Sequence, residues 1–160
     1  MSINQGKPFE DKFKACWKET FPNTFIFRLK DQMTGYKETS GNPCDFICFP
    51  GHNKLFMIEC KEHKGASIPF TAIPQYERLL DYKNIDNVYA GVILWLSEKD
   101  TVTWMPIKEM EKAYEAGLKS LNPAVLMKNG YKFVNIPSEK QRVFMKSNYS
   151  ILIQWAEEQN

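Results

Sequence analysis

The sequence predicts an α/β fold in which a mixed β-sheet is flanked by helices. Three observations predict it. Residues 88–96 ("VYAGVILWL") form an unbroken apolar run, the mark of a central strand covered on both faces. Two shorter runs, residues 46–49 and 55–61, are separated by Pro-Gly-His-Asn and read as a hairpin. Segments at residues 7–20 and 107–117 instead repeat their apolar residues at helical spacing.

Taken in order, Phe9, Phe13, Cys16, Trp17 and Thr20 outline an amphipathic first helix that Pro22 ends. Residues 24–29 ("TFIFRL") read as a short strand. Residues 30–42 are polar, contain two glycines and read as a mobile loop. The hairpin follows. Pro74 suits the first turn of a helix reaching Asn84, with Leu79, Leu80 and Tyr82 inward. After the strand at 88–96 comes a shorter one at 101–105, as its hairpin partner. Ile107, Met110, Ala113, Tyr114 and Gly117 outline a helix with a glycine stop. Residues 131–136 alternate like an edge strand, and residues 149–158 read as helical.

At 160 residues, 43% hydrophobic and 25% charged, the chain is expected to be a single domain with its own core. The 14% aromatic content argues against disorder. A net charge of +2 and a pI near 8.3 exclude binding by bulk charge, so any nucleic-acid site must come from local clustering. No repeat or low-complexity segment is present. The first residues lack the apolar core of a secretory leader, and no apolar run approaches the roughly 20 residues that span a bilayer. A cytoplasmic protein with reduced thiols and no membrane partner is expected.

The charges inside the hairpin need an explanation, because an isolated charge in a core is costly unless paired or metal-bound. Side chains alternate along a strand, so Leu55, Met57, Glu59 and Lys61 share one face. If the hairpin closes at Gly51-His52, Asp45 falls nearly opposite residue 58 or 59, and cross-strand neighbours lie about 5 Å apart. Asp45 and Glu59 could then converge on one ion, and two carboxylates that close repel unless a cation separates them. Oxygen donors favour Mg²⁺ or Mn²⁺ over Zn²⁺. Lys61 could hold an attacking water or offset charge on a phosphoryl transition state. The plainer alternative is a solvated ion pair between Glu59 and Lys61.

Cys44 and Cys48 read as lying on one strand face. With Cys60 and His63 they could suggest zinc, but no Cys-x-x-Cys pair exists, and buried apolar thiols are the better reading. Lys7, Lys12, Lys14 and Lys18 follow the polar side of the first helix. Arg28, Lys30 and Lys37 bracket the loop, where Tyr36 could stack on a base. His63 and Lys64 follow the Glu-x-Lys triplet and could touch phosphate; His52 on the turn reads as merely exposed. These are the candidate DNA contacts.

Asp45, residues 46–58 and then Glu59-Cys60-Lys61 match the PD-(D/E)xK nuclease signature. "GKPFEDKF", "GNPCDFICF", "LFMIECKEHKG", "IPFTAIPQYERLLDY", "YAGVILWL" and "GLKSLN" together resemble the Holliday-junction resolvases, both RecU of Gram-positive bacteria and their phages and archaeal Hjc. The resemblance spans roughly residues 5–135. It implies a restriction-endonuclease-like fold, metal ligation by Asp45 and Glu59, and transition-state stabilisation by Lys61. Gln75 matches the glutamine that supports the metal site, and Glu10 resembles the acidic residue of the first helix. Two departures bear on the metal's surroundings: Pro43 stands where RecU has threonine, and Pro74 where histidine usually precedes the glutamine.

The resemblance further implies an Mg²⁺-dependent endodeoxyribonuclease (Mn²⁺ substituting) that nicks four-way DNA junctions. Residues 30–42 would form its stalk. A homodimer is implied, since a four-way junction offers two symmetric cleavage points, as is a location in a bacterial cell or phage-infected host. The alternatives are another DNA nuclease of this fold, a non-catalytic recombination accessory protein, and a plain interaction domain.

Overall fold

A computed structural model describes residues 6–30 and 41–159. Residues 31–40, with Tyr36, Lys37 and most of the expected loop, lie outside the described residues. Helix α1 (Gly6–Thr20) leads into β1 (Phe25–Arg28), β2 (Phe46–Phe49) and β3 (Leu55–His63). A short β4 (Ile68–Pro69) and a 3₁₀ turn (Phe70–Ala72) precede α2 (Tyr76–Leu80) and β5 (Val88–Leu96). Then come β6 (Thr101–Pro106), α3 (Ile107–Glu115), β7 (Ser120–Leu121), α4 (Pro123–Lys128) and β8 (Val134–Asn135). The chain closes with β9 (Ser138–Lys140), β10 (Met145–Ser147) and α5 (Ile151–Glu158).

The main sheet has six strands in the order β1-β2-β3-β5-β6-β8. Among the described residues only β3 and β5 of this sheet pair in parallel, which the crossover through α2 makes possible; the other pairs are antiparallel. The sheet is therefore mixed, as the sequence indicates. On one face α1, β10 and α5 bury Phe13, Trp17, Phe46, Ile58, Trp104 and Tyr149. On the other, α2, α3 and α4 bury Met57, Leu79, Val92, Leu94, Met105 and Met110. Strand β5 is buried on both faces, which is why its sequence is continuously apolar. A Cβ at Gly91 would overlap the Met105 carbonyl and the Trp104 ring, so β5 and β6 pack closely there because residue 91 has no side chain.

Several expected boundaries shift. Helix α2 covers Tyr76–Leu80, not 74–84. Pro74 lies ahead of it, and residues 81–83 bond back three positions to Arg78, Leu79 and Leu80, the tighter turn of a helix running out. The strand expected at 131–136 shrinks to β8, still at the sheet edge. Gly117, at φ 87°, stops α3 as expected. Cys44 and Cys48 do not share a face. Cys44 precedes β2 and joins the α2 side, whereas Cys48 joins the α1 side, because strand alternation starts only at Phe46. Unforeseen elements are α4, the β4–β7 pair and the β9–β10 hairpin, each built from segments too short for a periodic signal. Among the described residues, no helix is long and apolar enough to cross a membrane.

Candidate metal centre

The hairpin of β2 and β3 builds the centre. Its register pairs Phe46 with Ile58, Ile47 with Met57 and Cys48 with Phe56, so the next position outward sets Asp45 opposite Glu59. Backbone bonds hold Asp45 on both sides: its N–H donates to the Ile58 carbonyl at 3.1 Å, and its carbonyl accepts from the Leu29 N–H at 2.8 Å. Its Oδ2 accepts the Cys60 N–H at 2.9 Å, which fixes the carboxylate's orientation. No side-chain signal in the sequence announces that amide, since a backbone donor has no residue identity.

Glu59 is only 1% exposed, and its Oε2 has no hydrogen-bond partner. Burial pushes its carboxyl up from 4.5 to about 10, and a hydrogen bond with Asp45 and that residue's charge add to the shift. The Lys61 ammonium works the other way, and Glu10 adds a smaller upward push. Burial and the neighbouring Asp45 together therefore favour the protonated form of Glu59.

The β3 alternation is as expected. Leu55 and Met57 face the α2 side with Glu59 and Lys61, while Ile58 and Cys60 enter the α1-side core. Glu62, beside Lys61, accepts from Ser97 Oγ at 2.7 Å and is thereby occupied. Gln75 stands at the start of α2, between the buried Ile73 and Tyr76, which pack in the same cluster as Met57 and Cys44. Its Oε1 is buried without a partner.

Two carboxylates, one pushed far out of its normal range, and two buried oxygens lacking donors fit a hard divalent cation. Asp45, Glu59 and Gln75 are the residues that would hold it. Among the described residues no group of three His, Cys, Asp or Glu side chains could ligate a metal, and an amide oxygen or water would complete a set built from those residues. Mg²⁺ keeps several of its waters and tolerates such a sparse set. Zinc does not fit. Burial pushes the Cys44 thiol up to about 12 and the Cys48 and Cys60 thiols well above their usual value, whereas zinc binds thiolates.

The other sequence-marked residues divide. Glu10 is half-buried on α1, near enough to influence Glu59, and it pairs with Arg28. Arg28 also pairs with Asp11 at 3.1 Å and lies over the Phe46 ring. Lys7 and Lys18 are exposed on α1 and Lys14 is half-exposed, while Lys12 donates to Gln141 Oε1 at 3.0 Å. Lys30 is exposed at the end of the first described segment. His63 ends β3 half-buried, Lys64 is exposed just beyond it, and His52 is exposed on the turn.

No family model matches the sequence, and no curated protein matches it. Among solved structures the chain is similar to Hjc, a Holliday junction resolvase from the archaeal hyperthermophile Archaeoglobus fulgidus, determined at 1.6 Å resolution. The TM-score is 0.52 at 22% identity, covering 75% of this chain and 90% of that one. At that identity the likeness establishes the fold alone: a central mixed sheet flanked by helices, the α/β architecture that the sequence predicts.

Proposed function

We propose that the chain is a metal-dependent, structure-specific endodeoxyribonuclease that nicks four-way (Holliday) DNA junctions during recombination, working in the cytoplasm as a homodimer. The observation that carries this reading is the buried contact of Asp45 with Glu59, set by the β2–β3 register at the strand end of an Hjc-like fold. A protein using Glu59 only as a surface ion pair with Lys61 has no reason to bury it to 1% exposure beside a second carboxylate.

A bound Mg²⁺ would supply charge neutralisation at the phosphate and a water acidified towards neutral pH. The chain's own residues do the rest. The Cys60 N–H holds Asp45 in one orientation. Lys61, two residues beyond Glu59 on the same face, offsets negative charge that grows on the phosphate oxygens as water attacks phosphorus and the leaving oxygen departs. Met57, two residues before Glu59 on the same strand face, adds a buried apolar side chain next along that face.

The dimer has a suitable surface. Strand β1 is a sheet edge, and Phe25, Phe27 and Phe49 stand 54%, 53% and 41% exposed on one side of it. An uncovered apolar edge invites strand pairing. A second copy across a two-fold axis would bury the same patch twice and match the two-fold symmetry of a junction.

Incubating the full chain with labelled four-way junction and linear duplex, with and without Mg²⁺, tests the reading. Paired nicks in the junction alone, dependent on the metal, are expected. Equal cleavage of linear duplex would make it a different nuclease of this fold, and binding without cleavage in Mg²⁺ or Mn²⁺ an accessory protein. Neither binding nor cleavage would overturn the reading altogether.

A further inference from the structure

The β9–β10 hairpin lies alongside α1, and two contacts fix its direction. Lys146 at its base pairs with Glu19 at 3.0 Å, and Gln141 at its tip accepts from Lys12 at 3.0 Å. Those positions on α1 are about two turns, or ~10 Å, apart. The tip therefore points to the start of α1, where Glu10 stands beside the metal centre. Ring contacts support the same placement: Phe144 packs on Trp95 at 5.3 Å, and Trp95 packs on Phe9 at 5.4 Å. Lys140 is tied to Asp100 at 2.9 Å, and Met145 is buried in the core. The hairpin is held on several sides.

Its tip is chemically unlike its base. The Gln141 N–H donates to the Phe144 carbonyl at 2.8 Å, closing a turn whose two central residues are Arg142 and Val143. Neither residue has a positive φ, so the turn takes ordinary side chains without strain. It presents an exposed arginine and a valine that is 55% exposed. Lys12, Lys140 and Lys146 are engaged by protein groups, whereas Arg142 has no ion pair among the described residues.

We propose that this tip is a DNA-gripping finger, with Arg142 on a backbone phosphate and Val143 against the groove of the duplex arm flanking the cleaved phosphate. This rests on the nuclease reading and deepens it. A guanidinium suits bidentate capture of a phosphate, and small apolar side chains at such tips pack against or wedge into the minor groove. Its anchoring to α1 aligns the finger with the lysine stripe of that helix, so one duplex arm can touch both.

The test uses the full chain carrying Asp45→Asn, so that bound junction persists, with binding followed across a salt series. Adding Arg142→Ala should reduce the slope of log K against log salt by about one and weaken binding several-fold. Val143→Asp should weaken it by about tenfold and remove backbone protection on one arm in a hydroxyl-radical footprint. Lys128→Ala on α4 serves as a control and should change neither. Both tip residues are exposed, and tryptophan fluorescence checks that the variants fold. If the unmutated chain cleaves junctions while both tip variants keep its slope, affinity and footprint, the finger is refuted and the nuclease reading stands. If the unmutated chain neither binds nor cleaves DNA, both fall.

Discussion

Replacing Glu59 by Gln should destroy cleavage yet stabilise the metal-free protein. In the unfolded chain Glu59 titrates near 4.5, whereas in the folded chain burial and Asp45 push it up to about 10. The folded state must therefore take up a proton that the unfolded state would release at neutral pH. That linkage works in one direction. The folded carboxyl is unpenalised below pH 4.5, and stability is lost as pH rises from there towards 10, at up to about 1.4 kcal/mol per pH unit. At pH 7 the gross cost is about 3 kcal/mol, an upper bound once local relaxation is allowed. Glutamine has the shape of the protonated acid and no proton to acquire.

Urea unfolding followed by tryptophan fluorescence, in EDTA at about pH 5.5, 7 and 8.5, measures this, with Trp17 and Trp104 as buried reporters. Glu59→Gln should gain about 1–3 kcal/mol near pH 7 and show a flatter pH profile than the parent. Added Mg²⁺ should raise the parent's midpoint, by linkage, and leave the variant's unchanged. A variant less stable than its parent at pH 8.5, with the same pH slope, would mean that Lys61 holds Glu59 ionised as a structural ion pair. The reasoning that makes this a metal site would then fail.

The other expectations are simpler to read. Asp45→Asn should abolish Mg²⁺-dependent nicking but leave junction binding intact in a gel-shift assay; wild-type turnover would remove Asp45 from the centre. Lys61→Ala should lower the single-turnover rate by about 10²–10³ with little change in metal affinity measured by calorimetry, and near-normal turnover would leave Lys61 a structural role only. Ca²⁺ should support junction binding without cleavage, because its longer bonds and looser geometry position water poorly, and robust turnover in Ca²⁺ would contradict the mechanism. Phe27→Asp should convert a dimer to monomer in sedimentation while α1-side unfolding stays cooperative; an unchanged dimer would place the interface elsewhere.

The pairing of Asp45 with Glu59 is legible in the sequence because its signals are periodic. Alternation alone puts Glu59 with Met57 and away from Ile58 and Cys60, and the turn length alone brings Asp45 opposite. Strand β5 was legible because both its faces are buried, which leaves only apolar residues for nine positions. What escaped was short or non-local. β4 and β7 have two residues each, and β9 and β10 three each, too few for the two-residue alternation of a strand to recur twice. Cys44 departs from the face that alternation predicts because the chain enters the strand only at Phe46. Helix α2 is shorter than its spacing predicts because Leu79, Leu80 and Tyr82 keep helical spacing into a turn whose backbone tightens to three-residue bonds.

The cations show where sequence reading stops and geometry must take over. Arg28 reads as a candidate DNA contact beside a polar loop, but its guanidinium is shared between Glu10 and Asp11 and rests over Phe46. That arrangement matters more to the centre than a phosphate contact would. Glu10 is a third carboxylate within electrostatic reach of Glu59, and without a counter-charge it would raise the cost of burying the pair still further. Arg28 offsets it from β1, one sheet position from Asp45's own strand. Lys12, Lys140 and Lys146 are likewise committed, to the hairpin and its neighbours. Lys7 and Lys18 are exposed on α1 and Arg142 at the hairpin tip, and the hairpin's contacts with Lys12 and Glu19 set it alongside that helix. With a net charge of only +2, a polyanion would have to be met by such local placement rather than by total charge.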